Sequence, residues 1–191
     1  MIPALGALTL TVPIPPGPGT SDYLLYMQPT FAGSTGEKVL GTPFRIRENP
    51  GCGYFVHCLS ASNSTGVAST IGATGTPSVA ANDLILIAQQ LPVGEMGMFF
   101  YGHSAAQGWN PSGDGLLCVQ APLFRLRPAT VASAQGTASL AIDLNSAPMN
   151  GGPGAILAGH RVYFQYVYRD SQSPGSAGFN YSNGLTVEYC P

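Results

Sequence analysis

The chain has 191 residues, 45% of them hydrophobic, and only 8% are charged (seven Lys or Arg, nine Asp or Glu) where a soluble domain usually carries about 25%. A net charge of −2 with dispersed basic residues excludes the basic footprint of a nucleic-acid binder, and no apolar run approaches the roughly 20 residues that span a bilayer as a helix. Lys38 is the only lysine. Lysine is depleted from protein–protein contacts because its hydrated ammonium is costly to immobilise, so the composition predicts a surface covered by copies of itself or by another partner.

The first eight residues are apolar, but Pro3 and the missing positive flank make them a poor signal peptide, so an exported chain would already have lost its signal. Leu8, Leu10, Val12 and Ile14 then alternate with Thr9, Thr11 and Pro13, a period of two that places one apolar row on one face of a strand. Further strands are predicted at 23–28, 44–47, 54–59, 84–89, 97–101, 116–119, 123–127, 161–168 and 185–190, and Leu140, Ile142 and Leu144 repeat the alternation. Gly (25) and Pro (17) fill the intervals and break every window of helical length. The expected fold is all-β with little or no helix: an antiparallel β-sandwich, Ig-like or jelly-roll-like, over residues 50–191, preceded by an N-terminal β segment at 1–49.

Within 161–168, Phe164, Tyr166 and Tyr168 share one face, expected to be core, while Tyr163, Gln165, Val167 and Arg169 share the other. Met96 and Met98 are expected to fill core gaps, Gly113-Asp114-Gly115 to form a turn, and Arg169 beside Asp170 to anchor a loop.

An internal echo links the two ends. Gly6 to Val12, Leu25-Tyr26-Met27-Gln28 and Phe44 to Arg47 follow one another as Gly136 to Ile142, Val162-Tyr163-Phe164-Gln165 and Leu185 to Glu188 do. If this is a repeat, the N-terminal segment corresponds to the last strands of a domain, and Leu8, Leu10, Val12 and Ile14 form an assembly segment able to complete a sheet elsewhere.

A second set of motifs runs from residue 50 to the end: Cys58 with Asn63-Ser64-Thr65-Gly66, Leu91-Pro92 to Gly102, Gly113 to Val119, Phe124-Arg125-Leu126, Tyr163 to Asp170, Phe179 to Leu185 and Cys190-Pro191. In that order they resemble an uncharacterised, secreted, β-rich, repeat-like C-terminal domain family of planctomycete-type bacteria. The resemblance implies export and a β-rich domain without an established catalytic activity. Its three recurrent cysteine positions match Cys58, Cys118 and Cys190, and Cys52 stands outside them.

Four cysteines in a Ser-, Thr- and Gly-rich chain suggest an oxidising compartment; Cys52, Cys58, Cys118 and Cys190 are disulfide candidates with three possible pairings. Gly102-His103-Ser104-Ala105-Ala106 has part of a nucleophile elbow, but its last Gly is replaced and no helix pattern follows. Cys52, His57 and Cys58 lack the ligands of a zinc site, and the aspartates are scattered without calcium-loop spacing, so no metal, cofactor or catalytic residue is assigned. Trp109 in a loop-like setting is a candidate sugar platform. Asn63-Ser-Thr and Asn180-Tyr-Ser fit the glycosylation sequon, a tripeptide common by chance. The expectation is therefore a secreted, non-enzymatic structural protein that self-associates into a filament, sheath or surface layer; the alternative is a monomeric adhesive or carbohydrate-binding module that meets a surface polysaccharide.

Overall fold

A computed structural model describes residues 52–106, 110–173, 175 and 177–191, together with the backbone of four strands earlier in the chain. Those four are β1 (Tyr26–Met27), β2 (Thr30–Ala32), β3 (Lys38–Leu40) and β4 (Phe44–Arg45). There follow β5 (Gly53–Cys58), β6 (Thr70–Thr74), β7 (Ile85–Gln89), β8 (Met96–Gly102), β9 (Ser104–Ala105), β10 (Pro111–Ser112) and β11 (Gly115–Leu116). The rest are β12 (Val119–Gln120), β13 (Phe124–Arg125), β14 (Thr130–Val131), β15 (Ala138–Ala141), β16 (Arg161–Arg169), β17 (Phe179–Tyr181) and β18 (Gly184–Glu188). Apart from a 3-10 turn at Gly152–Gly154, the described residues hold no helix, and the fold is all-β.

Two antiparallel sheets carry the core. The larger has seven strands, in the order β13-β8-β16-β18-β5, with β14 also on β8 and β17 also on β16; the smaller has the order β15-β7-β6. Phe164, Tyr166 and Tyr168 from one face of β16 are buried, as the alternation predicts, and join Phe99, Leu185 and Val187 from neighbouring strands. Leu86, Ala88, Ile71 and Ala138 of the smaller sheet complete the same hydrophobic cluster, an arrangement consistent with a β-sandwich. Gly97 is required here because a Cβ at that position would enter the Tyr166 ring.

Three expectations need correction. The predicted alternation through Leu144 stays buried at Ile142 and Leu144, but strand pairing with β7 ends at Ala141; the Ile142 N–H still donates to the Leu84 carbonyl, and beyond it the Leu144 and Asn145 N–H groups donate to the side chains of Asn82 and Asp143. β6 has no counterpart among the predicted strands, since Thr-Ile-Gly-Ala-Thr offers one large apolar residue. Met96 is 51% exposed rather than core, because it lies at the outer end of β8 opposite Val131 of the short edge strand β14.

The polar face of β16 is also covered. Gln165 is fully buried: its Oε1 accepts the Cys118 N–H at 2.9 Å, and its Nε2 donates to the carbonyls of Leu116 and Ser182, each at 2.7 Å. One side chain thereby ties the segment carrying β9 to β12 across the outside of the larger sheet. Every hydrogen of its amide is used.

The N-terminal strands repeat a pairing found at the other end of the chain. β1 and β4 pair Tyr26 with Arg45 and Met27 with Phe44; β2 and β3 pair Thr30 with Leu40, Phe31 with Val39 and Ala32 with Lys38. Placing Tyr26 on Tyr163 and Phe44 on Leu185, as the echo does, converts these into Tyr163–Thr186, Phe164–Leu185, Val167–Tyr181, Tyr168–Asn180 and Arg169–Phe179. All of these are observed pairs of β16 with β18 or β17. From Tyr26 and Tyr163 onward the difference in length falls in one interval, 33–37 in the first copy and 170–178 in the second.

Replacing Gln165 with Leu leaves one buried N–H and two carbonyls without partners, and at roughly 1–3 kcal/mol for an unsatisfied group the expected loss is about 3 kcal/mol. Urea unfolding of Gln165→Leu against the parent measures it; an unchanged midpoint would show that the strap is held by other contacts.

Candidate functional site

Two grooves open on the larger sheet, and the segment carrying β9 to β12, the strap, lines the first of them. The first, about 1330 Å³, lies over Tyr163 and Thr186 and is bounded by β5, by the strap and by Ala106 and Asn110. Register sets its floor: Tyr163 opposes Thr186, which opposes Phe55, so these residues project on the same face. His57 lies two residues beyond Phe55 on that face, and its ring packs edge-on to Tyr163 at 5.2 Å between centroids. Its Nδ1 meets the Thr186 hydroxyl at 3.0 Å and its Nε2 meets the Cys118 carbonyl at 3.2 Å. The neutral tautomer with hydrogen on Nε2 satisfies both contacts. Gly184 makes room for this ring, since a Cβ there would strike it. At the end of the groove Arg161 forms an ion pair with Glu188.

The second groove, about 990 Å³, runs along β13. Met98, Phe100, Val167 and Tyr181 line it from the larger sheet, so Met98, opposite Val167, faces this groove rather than the core, and residues 140–143 with 146–149 line it from the other side. Arg125 and Arg127 stand exposed at its margin.

Both ends of the larger sheet carry exposed apolar side chains. On β5 and just beyond it these are Tyr54, Val56 (54% exposed) and Leu59 (77%); beside β14 they are Met96, Val93 and Val131 (57%).

The four cysteines form Cys52–Cys190 and Cys58–Cys118. The first ties the start of β5 to the end of the chain, across 138 residues. The second fixes the end of β5 to the strap beside Gln165, so a covalent bond and a buried amide hold the same segment. Sequence alone left three pairings open because strand proximity, not spacing, selects among them.

Several predicted residues have structural roles. Ser104 lies in β9 opposite Gln120, not on a strand-to-helix turn, and the His103 ring packs against Tyr101, Phe124 and His160. Asp170 is buried and accepts the Ser64 N–H at 3.1 and 3.3 Å, so it anchors a loop through that backbone group rather than as a local pair with Arg169. Gly113, at φ 56°, and Asp114 form the turn joining β10 to β11, as predicted. Both sequon asparagines are buried: Asn63 donates to the Gln90 carbonyl at 2.7 Å and Asn180 to that of Ser62 at 3.2 Å. Leu8, Leu10, Val12, Ile14 and Trp109 lie outside the described residues. Sequence reasoning missed Gln165 and the arginine pair; the Tyr-x-Gln strand was visible, but nothing local marks a buried amide.

No family model, curated protein or solved structure matches this chain.

Burial holds the His57 imidazole below the ordinary histidine value, opposed in part by its bond to the Cys118 carbonyl. Burial lowers His103 likewise, helped by the nearby His160 and opposed by the backbone carbonyls of Pro153 and Gly154. Protons therefore bind the unfolded chain first. Stability should be unaffected by these groups well above pH 6.5, the ordinary value, and fall as the pH drops from there toward the lower folded values. Denaturation midpoints between pH 8 and pH 5 test this: the parent should decline, and His57→Gln/His103→Gln should decline less.

Proposed function

We propose that the protein is an extracellular structural protein that assembles with copies of itself by extending β-sheets. The observation carrying this reading is the repeated pairing of β1–β4 and β16–β18. In the C-terminal copy, β16 lies between β8 and the strands β17 and β18, and β18 is flanked by β5. Among the described residues, β1 to β4 pair only with one another. Such a strand set presents rows of backbone donors and acceptors at the positions where its counterpart receives β8 and β5. The exposed apolar side chains at the ends of the larger sheet suit burial against another copy, and contacts between unlike surfaces propagate as a filament unless the rotation closes a ring. Two disulfides fit an oxidising, extracellular setting.

Negative-stain microscopy and sedimentation over a concentration series test the proposal. The parent should form filaments or concentration-dependent oligomers. Deleting residues 1–47 should reduce them sharply, and Val56→Lys should do so in the full chain by placing a charge on the sheet edge. A parent that is monomeric at all concentrations would sink the assembly reading.

A second reading, an adhesive or carbohydrate-binding module, is favoured by one feature: Ala106 and Asn110, which flank 107–109, line the first groove together with Tyr163. A glycan array comparing the parent with Trp109→Ala should then show lost binding in the variant; the reading fails if the array is empty for both.

A further inference from the structure

We propose that the groove along β13 binds an anionic glycan of the uronate class, with Arg125 and Arg127 taking its carboxylates. Only six arginines occur in the chain, yet two line this groove from alternating positions. Arg125 opposes Phe100 across β13 and β8, so its side chain and that ring share a face. Among the described residues the ion pair joins Arg161 to Glu188, leaving Arg125 and Arg127 exposed without a carboxylate partner. Residues two apart along an extended segment are roughly 7 Å apart, a separation suited to repeated carboxylates rather than to one small anion. Each guanidinium offers a planar fork that matches a carboxylate.

The remainder of the lining fits the uncharged part of such a chain. Tyr181, Met98 and Val167, all half-buried, give an apolar wall for the C–H surface of a pyranose, and the buried Phe100 ring supports Tyr181 edge to face at 6.2 Å between centroids. Opposite lies Asp143, which accepts from Asn82 at 3.1 Å, from the Asn145 N–H at 3.0 Å and from Ser146 at 2.5 Å. These bonds hold its carboxyl below the ordinary range, so it stays ionised and fixed in place. The apolar wall, which a bare anion does not use, favours a sugar acid over a simple polyanion.

Assembly is not required for this binding; the proposal deepens the carbohydrate-binding reading at a second groove, and because residues 106–110 are not in its lining, Trp109→Ala should leave it intact. The test is isothermal titration of the full chain with galacturonate oligomers, neutral galactose oligomers of equal length and an oligonucleotide of equal charge. Binding should be strongest for the galacturonate oligomer and fall by about tenfold or more in Arg125→Gln/Arg127→Gln, with the parent fold retained by circular dichroism. The proposal is overturned if no galacturonate oligomer binds, if neutral oligomers or the oligonucleotide bind equally well, or if the double variant binds as the parent does.

Discussion

The buried amide of Gln165 is the constraint on which the outer half of the molecule depends. A strand so rich in aromatics could bury one face and leave the other wet. β16 instead carries at its centre a side chain that uses its acceptor and both donors inside the protein. Two of those bonds reach the strap and the third reaches Ser182, between β17 and β18. A buried amide is costly unless it is fully partnered, so the strap has one low-energy position. The Cys58–Cys118 bond holds it there from the side.

That position walls the first groove, and the two grooves differ in chemistry. His57, Thr186 and Tyr163 form a neutral, hydrogen-bonded floor under the first, with the Arg161–Glu188 ion pair at its end. The second keeps two arginines without such partners. Scarcity of charge gives this difference its weight: in a chain so poor in charge, a cation left exposed beside an apolar wall is a specific feature rather than ordinary solvation. The same scarcity leaves apolar side chains at both ends of the larger sheet, where most monomeric proteins place lysines or other charges.

Much of the sheet framework was legible from period-two alternation. β5, β7, β8, β16 and β18 fall where alternating or continuous apolar runs predict strands, and the inward aromatics of β16 are buried. β6 was not legible, because small residues in Thr-Ile-Gly-Ala-Thr carry almost no hydrophobic signal, and tertiary pairing with β7 supplies the strand. Met96 was assigned to the wrong environment because alternation gives the face of a strand but not whether another layer covers its end. Of the candidate site, the cysteines and the Tyr-x-Gln strand could be seen; the two grooves could not, since their walls come from segments far apart in sequence.

The chain by itself determined the all-β class, the inward face of β16, and an echo whose partner residues later proved to share one register. These are local properties, set by side-chain period and by turn-forming residues, and they survive without knowledge of the neighbours. Tertiary structure alone decided which cysteines join, which polar side chains are buried, and which arginines face an open groove. Each of those outcomes depends on distance between residues remote in sequence, and the hydrogen bonds of Gln165, 47 and 49 positions from Cys118 and Leu116, show how one such contact sets the surface around it.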